Sequence, residues 1–527
     1  MTSKISQVSV TARRAVQSQD WATVAACANE IIRQDASSAE GYFLAGIVER
    51  VSQRPVKAAQ AFEKALDLDV DRYDAAVELA NQYSIARRNH EAAELLAKYE
   101  EKLDNSPMYL DLAGTVYTEI GMPQKAWPLY KKATDLQPGV DLFQANLAAS
   151  GVYLGKIDEA RDIYRSLLKR FPNHQRNHYQ LSRLGKAKDV AHIDQMKEIL
   201  RTIDDTPDKN IFMYYAIGKE LEDLEQWEQS FEYYKKAGDA ANRIAKYDVG
   251  ADIALIDRII EICDAEWIAD ETGKPRADEP EKTPIFIVGL PRTGTTLTER
   301  IVSSHSQVES VGETLFLQMV LRRESGIQSI ENMTPAMVEA VAKKDIGLIA
   351  KGYLDTVRYR LGDEPMFIDK LPFNFLFLGF IAKAWPNARI IHLGRNPMDS
   401  CFSMYKQVFT WAYKFSYSLD GLGQYYVAYD RMRNHWRALL KGRMIEVEYE
   451  SLVTDPEGQT RILLDKLGLD FEQACLDFDK NRAPSATASS VQVREKAHSR
   501  SINKWTRFTR QLQPLRQHLE NAGIKVE

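Results

Sequence analysis

The feature that most constrains this chain is a period. Tyr42, Ala45, Gly46, Ala58, Phe62 and Ala65 recur 34 residues on as Ala76, Leu79, Ala80, Ala92, Leu96 and Tyr99. The set returns as Leu110, Ala113, Gly114, Ala126, Tyr130 and Ala133, and again as Gln144, Leu147, Ala148, Ala160, Tyr164 and Leu167, with no insertion between units. Pro138 and Pro172 share a repeat position, where a helix must stop. A unit repeated at this spacing cannot bury its apolar face alone, so neighbours must stack. Tyr214, Gly218, Ser230, Tyr234 and Ala237 mark one more unit, and the stretch Lys186 to Thr202 before it is degenerate but helical in its apolar spacing. Before Asp35, Val24, Ala28 and Ile31 keep part of the register of a divergent first unit.

These units resemble the tetratricopeptide repeat. In such a hairpin Gly46, Ala80, Gly114 and Ala148 let the two helices approach, and Phe62, Tyr130 and Tyr164 are expected to fill the gap to the next hairpin. The resemblance implies an array that docks a protein or peptide client. A structural role, such as dimerisation or shielding of a neighbouring domain, stays open, and the oligomeric state is not readable.

The pattern then changes. Ala251 to Ile268 reads as one helix, and Ala269 to Pro284, rich in charge, Pro and Gly, as a solvated linker. Four short apolar runs follow, at Ile285–Val288, Met366–Ile368, Arg389–Leu393 and Met444–Val447, separated by helical stretches. Strands alternating with helices predict a parallel sheet covered on both faces. The expected organisation is an all-α repeat solenoid over 1–245, a helix and linker over 246–283, and an α/β domain with a parallel sheet over 284–527. A chain of 527 residues is long enough for two to four domains.

Charge and cysteine content narrow the classes. A formal charge of -5 gives no case for a general nucleic-acid or membrane-surface binder. No apolar run is long enough to span a membrane, and Met1 to Ala15 has no apolar core of the signal-peptide kind. Cys27, Cys263, Cys401 and Cys475 are too scattered to form a metal or redox pair and read as buried thiols. Together these predict a cytoplasmic protein.

After the first strand comes Gly289-Leu290-Pro291-Arg292-Thr293-Gly294-Thr295-Thr296, and then a helix through about Ser303. Two glycines between a strand and a helix wrap backbone N–H groups around a phosphate at the positive end of the helix. Thr295 stands where the nucleotide-triphosphatase loop needs Lys, so the loop suits a phosphate and poorly suits ATP hydrolysis. Downstream, Arg395 follows the Arg389–Leu393 strand, with Asn396 a good N-cap and Pro397 a good first helical residue. That puts Arg395 at the carboxyl end of a strand, where open parallel sheets bind ligands.

The segment Pro284 to Thr314, with its P-R-T-G-T-T loop and Gly312-Glu313-Thr314, resembles sulfotransferases that use PAPS (3'-phosphoadenosine-5'-phosphosulfate), and most of all the protein-tyrosine sulfotransferase branch. The resemblance runs to Trp505. It implies that Arg292 and Glu313 are catalytic and that Thr293, Gly294, Thr295 and Thr296 hold the 5'-phosphate with Arg292. It implies that Arg395, with Ser403 eight residues on, holds the 3'-phosphate. Lys370, in Phe367-Ile368-Asp369-Lys370, matches the lysine that contacts the transferring sulfate. Tyr449 matches the tyrosine of a strand lining the nucleotide. Ser489, Ser490 and Lys504 match a C-terminal lid, with Ser489 a further donor to the sulfuryl group. From Arg482 to Arg516 there are eight Lys or Arg and one acid, Glu495.

This chain departs from that branch in lacking an anchor and any Cys near Lys370, and in placing Val311 before Gly312. The expected activity is in-line sulfuryl transfer from PAPS to an acceptor hydroxyl, releasing PAP, with Glu313 as general base and no metal required. Protein tyrosine is the first acceptor class. Saccharide, lipid and small-molecule hydroxyls remain open, as does a repeat scaffold with a non-catalytic nucleotide-binding domain. The helices from Leu315 to Arg360 and the aromatic stretch Phe409 to Tyr417 are acceptor-pocket walls or simple core.

Overall fold

A computed structural model describes residues 2–103, 106–203, 206–269, 282–329, 333–409, 412–487 and 489–526. The chain divides into two compact units, Met1–Ile163 and Tyr164–Glu527.

The first unit is helical hairpins throughout. Thr2–Gln17 and Trp21–Gln34 form the divergent first unit, followed by Ala39–Val51 with Pro55–Leu68, Tyr73–Ile85 with Asn89–Tyr99, and Pro107–Glu119 with Pro123–Leu136. Proline at the first helical position starts three of these helices, where its missing N–H costs nothing. The small residues and the aromatics meet inside each hairpin, and the same rings share buried clusters with the next one, Phe62 with Ala75 and Leu79, and Tyr130 with Phe143 and Leu147. A Cβ on Gly46 would lie 2.5 Å from the Phe62 ring, and one on Gly114 2.8 Å from Tyr130. Each ring lies on the glycine of its own hairpin, because the missing Cβ leaves a slot the ring fills.

In the second unit the repeats continue through Gln175–Arg183, Ala191–Thr202, Ile211–Asp223 and Trp227–Ala245. The degenerate stretch is helical only from Ala191, and the Ala187 N–H before it donates to Asp223 Oδ2 at 2.9 Å rather than to a helical carbonyl. The single helix expected over 251–268 is two, Val249–Ile262 and Ala265–Ala269. Asp264 breaks it by accepting the Trp267 N–H at 2.8 Å. Of the expected linker, residues 270–281 lie outside the described residues.

The α/β part is one five-stranded parallel sheet: β1 (Thr283–Gly289), β2 (Val308–Gly312), β3 (Met366–Lys370), β4 (Arg389–Gly394) and β5 (Met444–Glu448). The order is β2-β3-β1-β4-β5, with every neighbouring pair parallel. β1 is central, and Ile285 to Val288 are wholly buried. The chain runs from β1 to one side of the sheet and then crosses to β4 on the other, so a crevice opens between β1 and β4 at their carboxyl ends. The last repeat hairpin packs on the helix Pro397–Tyr405, where the Phe231 ring stacks 6.5 Å from Phe402 and 6.1 Å from Tyr405. Cys263, Cys401 and Cys475 are buried free thiols, whereas Cys27 is half-buried. Among the described residues no helix is long and apolar enough to cross a membrane.

Candidate functional site

Each of the five strands ends at a residue singled out above, or one that leads straight into it. The loop after β1 is built on two glycines. Gly289 has φ +146° and a Cβ there would meet Leu393 O of β4 at 2.8 Å. Gly294 has φ +103° and would meet the Tyr449 ring at 2.7 Å. Only glycine fits either position. Arg292 itself takes the left-handed conformation, φ +69°, a strained backbone for a residue with a side chain. The Thr293 hydroxyl is used within the loop, donating to Leu290 O at 2.7 Å. Gly294 is the N-cap of the helix Thr295–Val302, whose buried Thr295 and Thr296 open the positive end. The Thr296 hydroxyl lies 3.4 Å from Thr487 Oγ1.

Arg395 leaves β4 beside this loop, and the two guanidinium groups share the crevice. Arg395 Nη1 donates to Arg292 O at 2.8 Å and Nη2 to Ser501 O at 2.8 Å. Its guanidinium carbon stands 4.6 Å from the centroid of the Tyr449 ring. Arg292 donates from Nη1 to Ser489 Oγ and from Nη2 to Gln492 Oε1, the latter at 2.7 Å. The Nε atoms of both arginines are buried and without a partner among the described residues. Burial, then the Arg395 charge and that of Arg183 from the repeat helix, push Arg292 down to about 10. Tyr449 opens the helix Tyr449–Thr454 rather than lying in the strand, and its hydroxyl is 3.2 Å from Ser501 Oγ. Asn396 caps the next helix by accepting the Asp399 N–H at 3.1 Å, with Pro397 first in the helix. Ser403 is half-buried two turns along it.

On the other side of β1, β2 and β3 deliver Glu313 and Lys370. Lys370 is completely buried, with its Nζ 2.5 Å from Glu313 Oε1 and 3.5 Å from Glu299 Oε2. Burial pulls its pKa down, but the two carboxylates outweigh that, and the net shift is upward. Glu299 in turn accepts the Ser310 hydroxyl at 2.6 Å. Behind them, buried Asp369 accepts from Tyr353 at 2.8 Å, Thr314 at 2.9 Å and Asn374 at 3.1 Å. Burial pushes Asp369 up to about 7, against these donors.

The C-terminal segment covers the crevice and is pinned at several points. Besides Ser489 and Gln492 on Arg292, Asp399 accepts the Asn503 N–H at 2.6 Å and the Trp505 N–H at 2.9 Å. Ser490 is buried. Lys504 Nζ reaches Glu222 Oε1, in the repeat helix Ile211–Asp223, at 2.6 Å. A cavity of 540 Å³ opens beside Arg395, lined also by Tyr426, Arg433, Glu448 and Asn503.

Residues 284–473 match the model of the sulfotransferase family. The α/β part is a sulfotransferase-family domain. An uncharacterized protein of Aquifex aeolicus is 29% identical over 443 residues, covering 82% of this chain and 57% of that one. A protein-tyrosine sulfotransferase of Drosophila melanogaster is 25% identical over 252 residues, 46% of this chain and 50% of that one. The chain thus spans about half the length of these curated relatives, 57% and 50%. Among solved structures, the sulfotransferase domain of the Synechococcus PCC 7002 olefin synthase is 22% identical, covering 48% of this chain and 99% of that one at a TM-score of 0.34.

The α/β part brings Arg292, Ser489, Arg395 and Tyr449 together at the crevice between β1 and β4, and Glu313 with Lys370 on the other side of β1. Sequence reasoning missed Glu299, Asp399, Gln492, Lys406 and Glu222. Gln492 was visible in the lid motif next to Ser489 and Ser490. The others are charged residues on helices or, for Lys406, just after one, which read as solvated from sequence alone.

Proposed function

We propose that the protein transfers a sulfuryl group from PAPS to an acceptor hydroxyl, with protein tyrosine as the acceptor class. One observation carries the reading. Arg292 and Arg395 sit together in a buried crevice at the switch point of a parallel sheet, beside a helix N-terminus, and neither pairs with a carboxylate among the described residues. Adjacent like charges with no carboxylate paired to either call for an anion, and two neighbouring guanidiniums plus a phosphate-type loop call for one with several charges. The donor's two phosphate groups supply them.

The loop amides, Thr295 and Thr296 hold the 5'-phosphate, and Arg395 with Ser403 holds the 3'-phosphate under the Tyr449 ring and the lid residues Ser490 and Lys504. Glu313 takes the proton from the acceptor hydroxyl. The acceptor oxygen forms its bond to sulfur as the bond from sulfur to the bridging phosphate oxygen breaks. Lys370 and Arg292 neutralise charge on the sulfuryl oxygens and on that leaving oxygen, with Ser489 as a further donor. Lys370 suits this role because an ammonium has three donors and the two carboxylates occupy two of them. The products are a sulfate ester and PAP. The tyrosine assignment is supported by protein-tyrosine sulfotransferases of several animals at 22–26% identity over part of the chain. The repeat architecture supports a protein or peptide client on the array.

The test is thermal unfolding of the whole protein with PAP, PAPS and ATP-Mg in parallel. A ligand present at about 100 times its dissociation constant adds roughly 2.7 kcal/mol. Stabilisation by PAP and PAPS, not by ATP-Mg, is expected. Stabilisation by ATP-Mg alone would overturn the reading in favour of a nucleoside-triphosphate enzyme.

A further inference from the structure

Two buried charged groups beside the donor crevice have no part in the mechanism above. Glu222 lies on the repeat helix Ile211–Asp223, and its side chain is 5% exposed. Its Oε1 takes both Lys406 Nζ, at 2.7 Å, and Lys504 Nζ, at 2.6 Å. Its Oε2 accepts the Tyr234 hydroxyl at 2.8 Å. Lys406 directly follows the helix Pro397–Tyr405, three residues beyond Ser403, so both project from the same face. The Lys406 side chain is 14% exposed, and its ammonium stands 4.6 Å from the Phe402 ring centroid.

The charges that face Lys406 are Glu222 from the repeat array, Lys504 from the lid and Arg395 from the end of β4. One carboxylate between two ammonium groups leaves a net positive charge. Each ammonium spends one N–H on Glu222 and keeps two for another acceptor. Resting on the donor-site reading above, we propose that Lys406 is a further binding residue for the donor's 3'-phosphate beside Arg395. In the same assignment Glu222 is a positioning residue supplied by the repeat array, which holds Lys406 and Lys504 side by side to receive that phosphate.

The electrostatics give Glu222 a second effect. Burial brings Lys406 down to about 8, with Glu222 pulling it up and Lys504 and Arg395 pushing it down. Loss of the carboxylate removes the upward pull, so Lys406 gives up its proton nearer neutrality and stops contributing a cation. The array would therefore set the pH range over which the nucleotide site is fully charged.

The experiment is calorimetric titration of the full chain with PAP from about pH 7 to pH 9.5, in wild type, K406R, K406M and E222Q. Above pH 7 the second ionisation of the phosphate, near 6, is complete. Wild-type affinity should hold to about pH 8 and then fall as Lys406 discharges. K406R keeps a cation that cannot titrate there and should bind PAP at wild-type strength without the fall. K406M should bind about 10-fold more weakly at pH 7, the loss of one charged hydrogen-bond donor, and show no fall. E222Q should show the fall at lower pH. K406R with the same pH profile as wild type, or K406M with wild-type affinity, would overturn the role of Lys406. E222Q with an unshifted profile would overturn that of Glu222. Because K406R keeps the charge and approximate length, it tests the idea even if K406M or E222Q does not fold. A wild type that binds no PAP at any pH would instead refute the donor-site reading itself.

Discussion

Replacing Glu313 by alanine separates catalysis from binding. The carboxylate is exposed after β2 and touches the fully buried Lys370 ammonium at 2.5 Å. Without it Lys370 keeps Glu299 at 3.5 Å, so the cation is not left without a counter-ion. The stability cost should fall between the ~0–1 kcal/mol of an exposed pair and the ~3–5 kcal/mol of a buried pair broken on one side, at about 1–2 kcal/mol. Among the described residues Glu313 hydrogen-bonds to Lys370 and forms no ion pair with Arg292 or Arg395, so PAP affinity should change by less than about 3-fold, under the ~1.4 kcal/mol of one decade. Turnover should drop by about 10²–10⁴-fold, the usual share of a general base, which is roughly 2.7–5.4 kcal/mol on the barrier. The assay is transfer of labelled sulfate from PAPS to a tyrosine-containing peptide, with PAP affinity measured on the same samples. Unchanged turnover refutes the reasoning. So does a fall in PAP affinity as large as the fall in rate, which would make Glu313 part of donor binding.

Two further outcomes test the fold. Gly46→Ala puts a methyl 2.5–2.9 Å from three atoms of the fully buried Phe62 ring. Overpacking of about 1–3 kcal/mol should outweigh the roughly 1 kcal/mol that alanine gains over glycine in a helix, so the urea midpoint should fall. A raised midpoint would mean the ring has room to move. Asp369, pushed up to about 7 by burial, holds a proton in the native state that the unfolded chain releases near the ordinary carboxylate range. Its contribution to stability is complete below about pH 4 and is lost as pH rises through about 7. Melting temperatures from pH 4 to pH 8 should therefore decline less steeply in Asp369→Asn than in wild type, and identical slopes would reject the assignment.

Much of the site was legible because its signals are local. A glycine pair between strand and helix, and an Asn-Pro helix start after a strand, need only a few consecutive residues to act, and the structure has them at Gly289, Gly294, Asn396 and Pro397. β2 was not legible. In Val308–Gly312 the polar Glu309 and Ser310 interrupt the apolar run, and the strand pairs on one side only, with β3. The helix expected over 251–268 was misjudged for the opposite reason, since its apolar spacing continues past the point where the Asp264 carboxylate takes a backbone N–H and ends it.

The sequence by itself determined the repeat period, the sheet class, the glycine-built turn after β1 and the capped helix start after β4, because each depends on residues adjacent or one helical turn apart. Only the tertiary structure decided what the charges mean. Glu222 and Lys406 lie 184 positions apart and look like ordinary surface residues of two helices. Packing of the last repeat hairpin against Pro397–Tyr405 takes both out of water, where a charge must find a partner, and brings Lys504 to them. The same holds for Glu313 and Lys370, which meet because parallel pairing of β2 with β3 aligns their carboxyl ends. Burial and cross-strand register are properties of distant contacts, so the ion pairs they create have no signature in any local stretch of sequence.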